Sequence, residues 1–360
     1  MEKKLSIKYS SLTTFSLSAQ QNSYPLLKSL SLHHSSDDLS DRASSSYSQL
    51  TVRLISDPEI FAPEEWVIDE LRAGQVVKLQ DRPLNVSHDL LFNLTEPLKV
   101  SMKLAVCSLE FSETELATEE FSVEVLPPNF WGGESRQPEL LAAFVKPNGL
   151  YVESLVKQVT EILENEGFGR SADGYQSNTR DKPYLMAACL WNVVFAQQLA
   201  YVSPPPGFAR EGQRVRLAAD ISSSGMCACL DTSLLFASCL ELMGLNPVIA
   251  LTDGHAFAGV WLIDECFPVL TNDDPMDLRK RVDSKDIVLF ETTLVTNVSP
   301  VTFEDSKATA RELISEDKEK DFVYVIDISQ ARARKIKPLS TVEVRPDEAI
   351  SKGISVLPTP

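Results

Sequence analysis

Residues Ser224–Trp261, SGMCACLDTSLLFASCLELMGLNPVIALTDGHAFAGVW, decide how the second half of the chain folds. Cys229 opens an apolar segment of helical length, and Gly244 closes it. Cys229, Leu230, Leu234, Leu235, Phe236, Cys239, Leu242 and Met243 leave little polar face, so this is expected to be a buried helix. Val248 to Leu251 then reads as a strand, and the Asp253-Gly254 turn leads His255 into a second one, on which His255, Phe257, Gly259 and Trp261 share a face. The order places a cysteine at a helix start and a histidine on a strand. A helix N-terminus carries partial positive charge and unpaired N–H groups that stabilise a thiolate, and an adjacent imidazolium stabilises it further. The stretch therefore reads as an activated thiol nucleophile with its base.

Downstream, Asp286 to Val295 is expected to be a strand with Ile287, Leu289 and Glu291 on one face. A carboxylate among such apolar neighbours requires a partner. His255, on a nearby strand, supplies one, and Asp264, Asp273 and Asp274 are rivals expected in a loop. Cys227 is the rival thiol and a potential resolving one, whereas Asp231 complements the helix dipole in the first turn. The chain has four histidines, at 33, 34, 88 and 255, so histidine chemistry in its second half must use His255. For an oxyanion, the N–H of Cys229 and the amide of Gln176 are the candidate donors. Trp191 and Tyr201 read as core residues of a helix from Asp181 to Tyr201.

Composition bounds the rest. With 43% hydrophobic and 24% charged residues, the 360-residue chain suits a globular protein of two or three domains. A net charge of -17 repels nucleic-acid backbones and anionic lipid surfaces alike, so neither is an expected direct partner. No stretch approaches the roughly 20 apolar residues of a membrane span, and a cytoplasmic location is expected. Six dispersed cysteines suggest reduced thiols. The Cys-x-Cys spacing lacks the paired knuckles of a structural zinc site, and no metal or cofactor is expected.

Toward the N-terminus, alternation at Leu30 and Leu32, at Leu50, Val52 and Leu54, at Leu98 to Val106 and at Phe121 to Val125 predicts half-buried strands and an antiparallel sandwich over 1–127. The polar stretch Ser35 to Ser48 is expected to be a mobile loop, and Pro127-Pro128 a domain boundary. Helices are expected over Pro138 to Val145 and Leu150 to Glu166, and a loop at Pro204-Pro205-Pro206-Gly207. A catalytic domain over 128–300 would be followed by a C-terminal extension over 301–360. In it, a helix from Ser306 to Glu316 and a strand from Phe322 to Ile328 would dock on the catalytic domain up to about residue 340. The closing Pro358-Thr359-Pro360 reads as the start of a linker.

Gly225 and Cys229 ahead of an apolar helix, the Gly-Leu-Asn-Pro turn, the Gly-His-Ala-Phe strand and Phe290-Glu291-Thr292-Thr293 together resemble the transglutaminase-like cysteine-protease superfamily. The resemblance implies an α+β chain in which the N-terminal antiparallel β-sandwich precedes a transglutaminase-like (papain-like) domain, its buried Cys-bearing helix packed on an antiparallel sheet. It implies Cys229 as nucleophile, His255 as base and Glu291, in place of the commoner aspartate, as orienting acid. The expected activity is that of a cysteine protease or isopeptidase on protein or peptide substrates, with transglutamination or deamidation on the same triad as alternative outcomes. The alternative is an inactive docking or sensing module of the same fold. With Trp131-Gly132-Gly133, Asp173 to Ser177 and Ile326 to Leu339, the likeness extends to the N-terminal region of large bacterial multidomain proteins. It thereby implies a helicase-like ATPase partner, in cis or in trans, and a role in antiviral defence.

Overall fold

The computed structural model describes residues 5–35, 46–80, 84, 86–108, 114–133, 136–203 and 212–340, and the chain is mixed α+β with antiparallel sheets. Most of the expected loop at Ser35 to Ser48, the Pro204 to Gly207 loop and the linker-like end lie outside the described residues; Ser46 to Ser48 are already strand. Two compact units divide at Pro138.

The first unit contains β1 (Leu5–Ser11), β2 (Thr14–Phe15), α1 (Leu17–Gln21), β3 (Leu27–His34), β4 (Ser46–Asp57), β5 (Glu64–Arg72), β6 (Val76–Lys78), α2 (His88–Asn93), β7 (Leu98–Ser108), β8 (Glu115–Val125) and β9 (Phe130–Trp131). They form one sheet in the order β1-β3-β6 and another in the order β2-β8-β7-β4-β5. Register follows the alternation: Val52 faces Val106 and Leu54 faces Leu104 across β4 and β7, and all four are buried. The division falls later than the Pro127-Pro128 break because β9 belongs to the first unit. It pairs there with β11 (Gln213–Arg214), whose residues return to that unit.

The second unit is built on a five-stranded antiparallel sheet. Its strands are β13 (Pro247–Thr252), β14 (His255–Trp261), β15 (Thr271–Asn272), β16 (Ile287–Phe290) and β17 (Phe322–Asp327), in the order β15-β17-β13-β14-β16. Helices α3 (Leu150–Asn165), α4 (Asp181–Phe195) and α6 (Cys229–Leu242) cover one face. The other carries α7 (Pro275–Asp283) and α8 (Phe303–Leu313). Short α5 (Ala218–Ser224) precedes α6, and α9 (Ile328–Ala333) follows β17. Each residue of α6 from Cys229 to Leu240 is buried, in keeping with its nearly all-apolar sequence. Stretch 301–340 is part of this unit, with β17 paired to both β13 and β15. Among the described residues no helix is long and apolar enough to cross a membrane.

Several elements differ from expectation in ways that matter for the site. Helix α4 stops at Phe195, where Gln198 adopts a positive φ of 53°, and the chain re-emerges as a two-residue strand, β10 (Ala200–Tyr201). This runs parallel to β12 (Met226–Cys227). Strand β16 ends at Phe290 rather than Val295, and Pro138–Phe144 is a 3-10 helix.

Glycine is required at β14's centre. A Cβ on Gly259 would lie 2.7 Å from the Val288 carbonyl oxygen and 2.5 Å from Leu289 Cδ2 on neighbouring β16. Gly259→Ala is therefore expected to destabilise the protein by about 1–3 kcal/mol, the usual result of overpacking. It should lower the urea unfolding midpoint, and an unchanged midpoint would mean that β16 yields freely.

Candidate active site

Cys229 is the first residue of α6, and its N-cap, Ala228, has no side-chain acceptor for the open first turn. Asp231 compensates. Its Oδ2 accepts the Ala228 N–H at 2.8 Å and its Oδ1 accepts the Arg216 N–H at 2.8 Å, while the Arg216 guanidinium lies 3.2 Å from Oδ2. Burial pushes the Asp231 carboxyl above its ordinary value in spite of these bonds. The next two hydroxyls turn back on the same residue: Thr232 and Ser233 donate to the Cys229 carbonyl at 2.9 and 2.8 Å. Both also meet Thr292 Oγ1, at 2.9 and 3.2 Å. The first turn of α6 is thus tied to the residue that follows Glu291.

Glu291 sits at the end of β16, where it caps a 3-10 turn over Thr292–Thr296. One carboxylate oxygen, Oε1, accepts the Thr293 N–H at 2.9 Å and the Thr293 hydroxyl at 2.7 Å. The other, Oε2, lies 2.6 Å from His255 Nε2. The Glu291 N–H is bound by the Ser306 carbonyl at the start of α8. Only 3% of Glu291 is exposed. Burial alone would raise its carboxyl, but the bonds from His255 and Thr293 outweigh it and hold the group below its ordinary range.

His255 begins β14 with its ring against that of Phe257, centroids 6.2 Å apart. Nε2 is committed to Glu291, which leaves Nδ1 for the thiol. Burial alone would lower the imidazole's pKa. Hydrogen bonding to Cys229 and Glu291, with the negative charge of both, raises it instead to about 10. Thiol, imidazole and buried carboxylate form one chain of contacts, in which the ring can hold a proton beside sulfur.

A fourth group joins them. Tyr201, read from sequence as a helix core residue, is outside the helix and 42% exposed. Strand β10 places it opposite Cys227, and the Val202 N–H is held by the Cys227 carbonyl. Its hydroxyl interacts with Cys229. Burial and the thiol's charge and hydrogen bond push that hydroxyl up to about 12. The sequence signal was the short run Leu199-Ala200-Tyr201-Val202 between Gln198 and Ser203, which reads as a brief strand as readily as a last helical turn.

The remaining candidates lie elsewhere. Gln176 is exposed, and its neighbour Tyr175 is fixed by bonds from the Asn246 N–H and to the Trp261 carbonyl. That is the end of β14 away from His255, about 20 Å along the strand. The adjacent Gly174, at a φ of 58°, lets this loop approach Gly244 so closely that a Cβ would meet its oxygen at 2.6 Å. Cys227 faces the helical core, its thiol 3.8 Å from the Ala200 carbonyl and pushed up to about 12 by burial. Asp264 binds Asn246 and Asp274 caps α7. Among the described residues no group of three or more His, Cys, Asp or Glu side chains is arranged to hold a metal ion. No known protein family's sequence profile matches the chain, and no curated protein matches it either.

The raised imidazole has a consequence for stability. Its folded value, about 10, lies above the ordinary 6.5, so the folded state holds the proton more tightly. That contribution is complete below about pH 6.5 and is lost as pH rises through about 10. The urea midpoint of the wild type should fall across this window more steeply than that of His255→Gln, and identical slopes would contradict the assignment.

Proposed function

We propose that the protein is a thiol acyl-transfer enzyme of the transglutaminase-like cysteine-protease type, acting as a protease or isopeptidase on protein or peptide substrates. The observation that carries this reading is His255, bonded through Nε2 to buried Glu291 at 2.6 Å and in contact with Cys229. In the proposed reaction, the Cys229 thiolate adds to a carbonyl carbon beside the His255 imidazolium. The tetrahedral adduct collapses as His255 protonates the leaving amine, and the thioester is then hydrolysed by water that His255 deprotonates. Glu291 keeps the ring oriented and stabilises its charge without taking the proton. An amine in place of water would give transamidation, and a glutamine side chain as the acyl donor would give deamidation. The likeness of the chain to the front of large bacterial helicase-like proteins extends the reading to a protease released by a nucleic-acid-sensing ATPase during defence.

Two thiols make the test sharp. Cys266 is exposed whereas only 4% of Cys229 is, so accessibility alone favours Cys266, and only activation by the neighbouring imidazole would reverse that order. Brief iodoacetamide treatment at neutral pH followed by peptide mapping should show Cys229 alkylated first. Cys229→Ala should abolish amide or ester hydrolysis, and Glu291→Gln should lower kcat by about 10²–10⁴-fold. Faster labelling of Cys266, or full activity in Cys229→Ala, would exclude the mechanism.

A further inference from the structure

Tyr201 stands at the thiol for a reason that the contacts of its strand make plain. β10 is held on one side by β12, the two residues that lead into the N-cap of α6. On the other it lies against the 3-10 turn that begins beside Glu291. Its two-residue length, its parallel pairing and the bonds from Ala200 N–H to Gly225 and from Val202 N–H to Cys227 fix the backbone on both sides of Tyr201. The residue is left 42% exposed, a poor choice for packing alone. Cys229, at the first helical position, has a backbone N–H without an intrahelical acceptor.

We infer that the Tyr201 hydroxyl and the Cys229 N–H together form the oxyanion site of this enzyme, with Tyr201 the catalytic side-chain donor. The inference rests on the acyl-transfer reading. When sulfur adds to the carbonyl carbon, the C–S bond forms and the π pair of the carbonyl moves onto oxygen. The negative charge thus leaves Sγ for an atom two bonds away, and a hydroxyl carried by the strand beside the N-cap of α6 can follow it. When the adduct collapses, the pair returns to the carbon–oxygen bond and the leaving group departs with the proton from His255. Tyr201 donates a hydrogen bond throughout and transfers no proton, in keeping with a phenol whose pKa is raised. Such donors are worth more in the transition state than in the ground state, because they face the charge that develops.

Two electrophiles separate this role from any other. p-Nitrophenyl acetate passes through a tetrahedral oxyanion, whereas iodoacetamide alkylates sulfur by displacement without one. In Tyr201→Phe, acetylation of Cys229, followed by p-nitrophenolate release and peptide mass, should slow by about 10²–10³-fold, while alkylation proceeds at the wild-type rate or faster. Unchanged acetylation would overturn the assignment. So would an equal fall in both reactions, which would mean that Tyr201 acts on the thiolate. If wild-type Cys229 is alkylated but never acetylated, the acyl-transfer reading fails with it, a result distinct from the other two.

Discussion

The hydrogen bond between His255 Nε2 and Glu291 Oε2 is the interaction on which the second unit's arrangement turns. A carboxylate with 3% exposure is costly unless nearly every lone pair is engaged. Here three donors meet it, from Thr293's backbone and side chain and from His255. Two of them exist only because β16 stops at Phe290 and the chain turns. The third requires β14 and β16 to pair in one register, Ala258 against Phe290. A slip of one residue would turn the side chains of one strand to the opposite face and leave the acid unpaired.

That register depends in turn on the packing around it. Gly259 allows β16 to lie close against β14, and Trp191, Phe236, Phe290 and Phe303 pack edge-on and face-on from α4, α6, β16 and α8. The sheet is thereby fixed to the helix that bears Cys229. The hydroxyls of Thr232, Ser233 and Thr292 tie the first turn of that helix to the 3-10 turn that follows β16. Helix and strand therefore cannot drift independently, and the distance from sulfur to ring is set by both an apolar and a polar layer.

Much of this was legible because the relevant residues are scarce or out of character. His255 is the one imidazole beyond residue 88, Cys229 directly precedes a run with hardly a polar face, and Glu291 interrupts apolar sequence. Their order along the chain pointed to three neighbouring elements. What sequence did not reveal was non-local. Gln176 looked available, yet Tyr175 is drawn to Asn246 and Trp261 at the far end of β14. Tyr201 looked like a core residue because nothing in Ala196-Gln197-Gln198 breaks a helix by composition; the left-handed turn at Gln198 is non-glycine and has no local signature. The place of Phe322–Asp327 inside the sheet, between β13 and β15, likewise depends on partners distant in sequence.

The central claim is that Glu291 fixes which ring nitrogen faces sulfur. With only four histidines in the chain, ¹⁵N-labelled imidazoles can be assigned by substitution and their protons observed directly by NMR. The account predicts a strongly downfield proton on His255 Nε2 in the wild type and in Cys229→Ala alike, lost in Glu291→Ala. A His255 that carries its proton on Nδ1 with Nε2 bare, or an Nε2 proton indifferent to removal of Glu291, would contradict it.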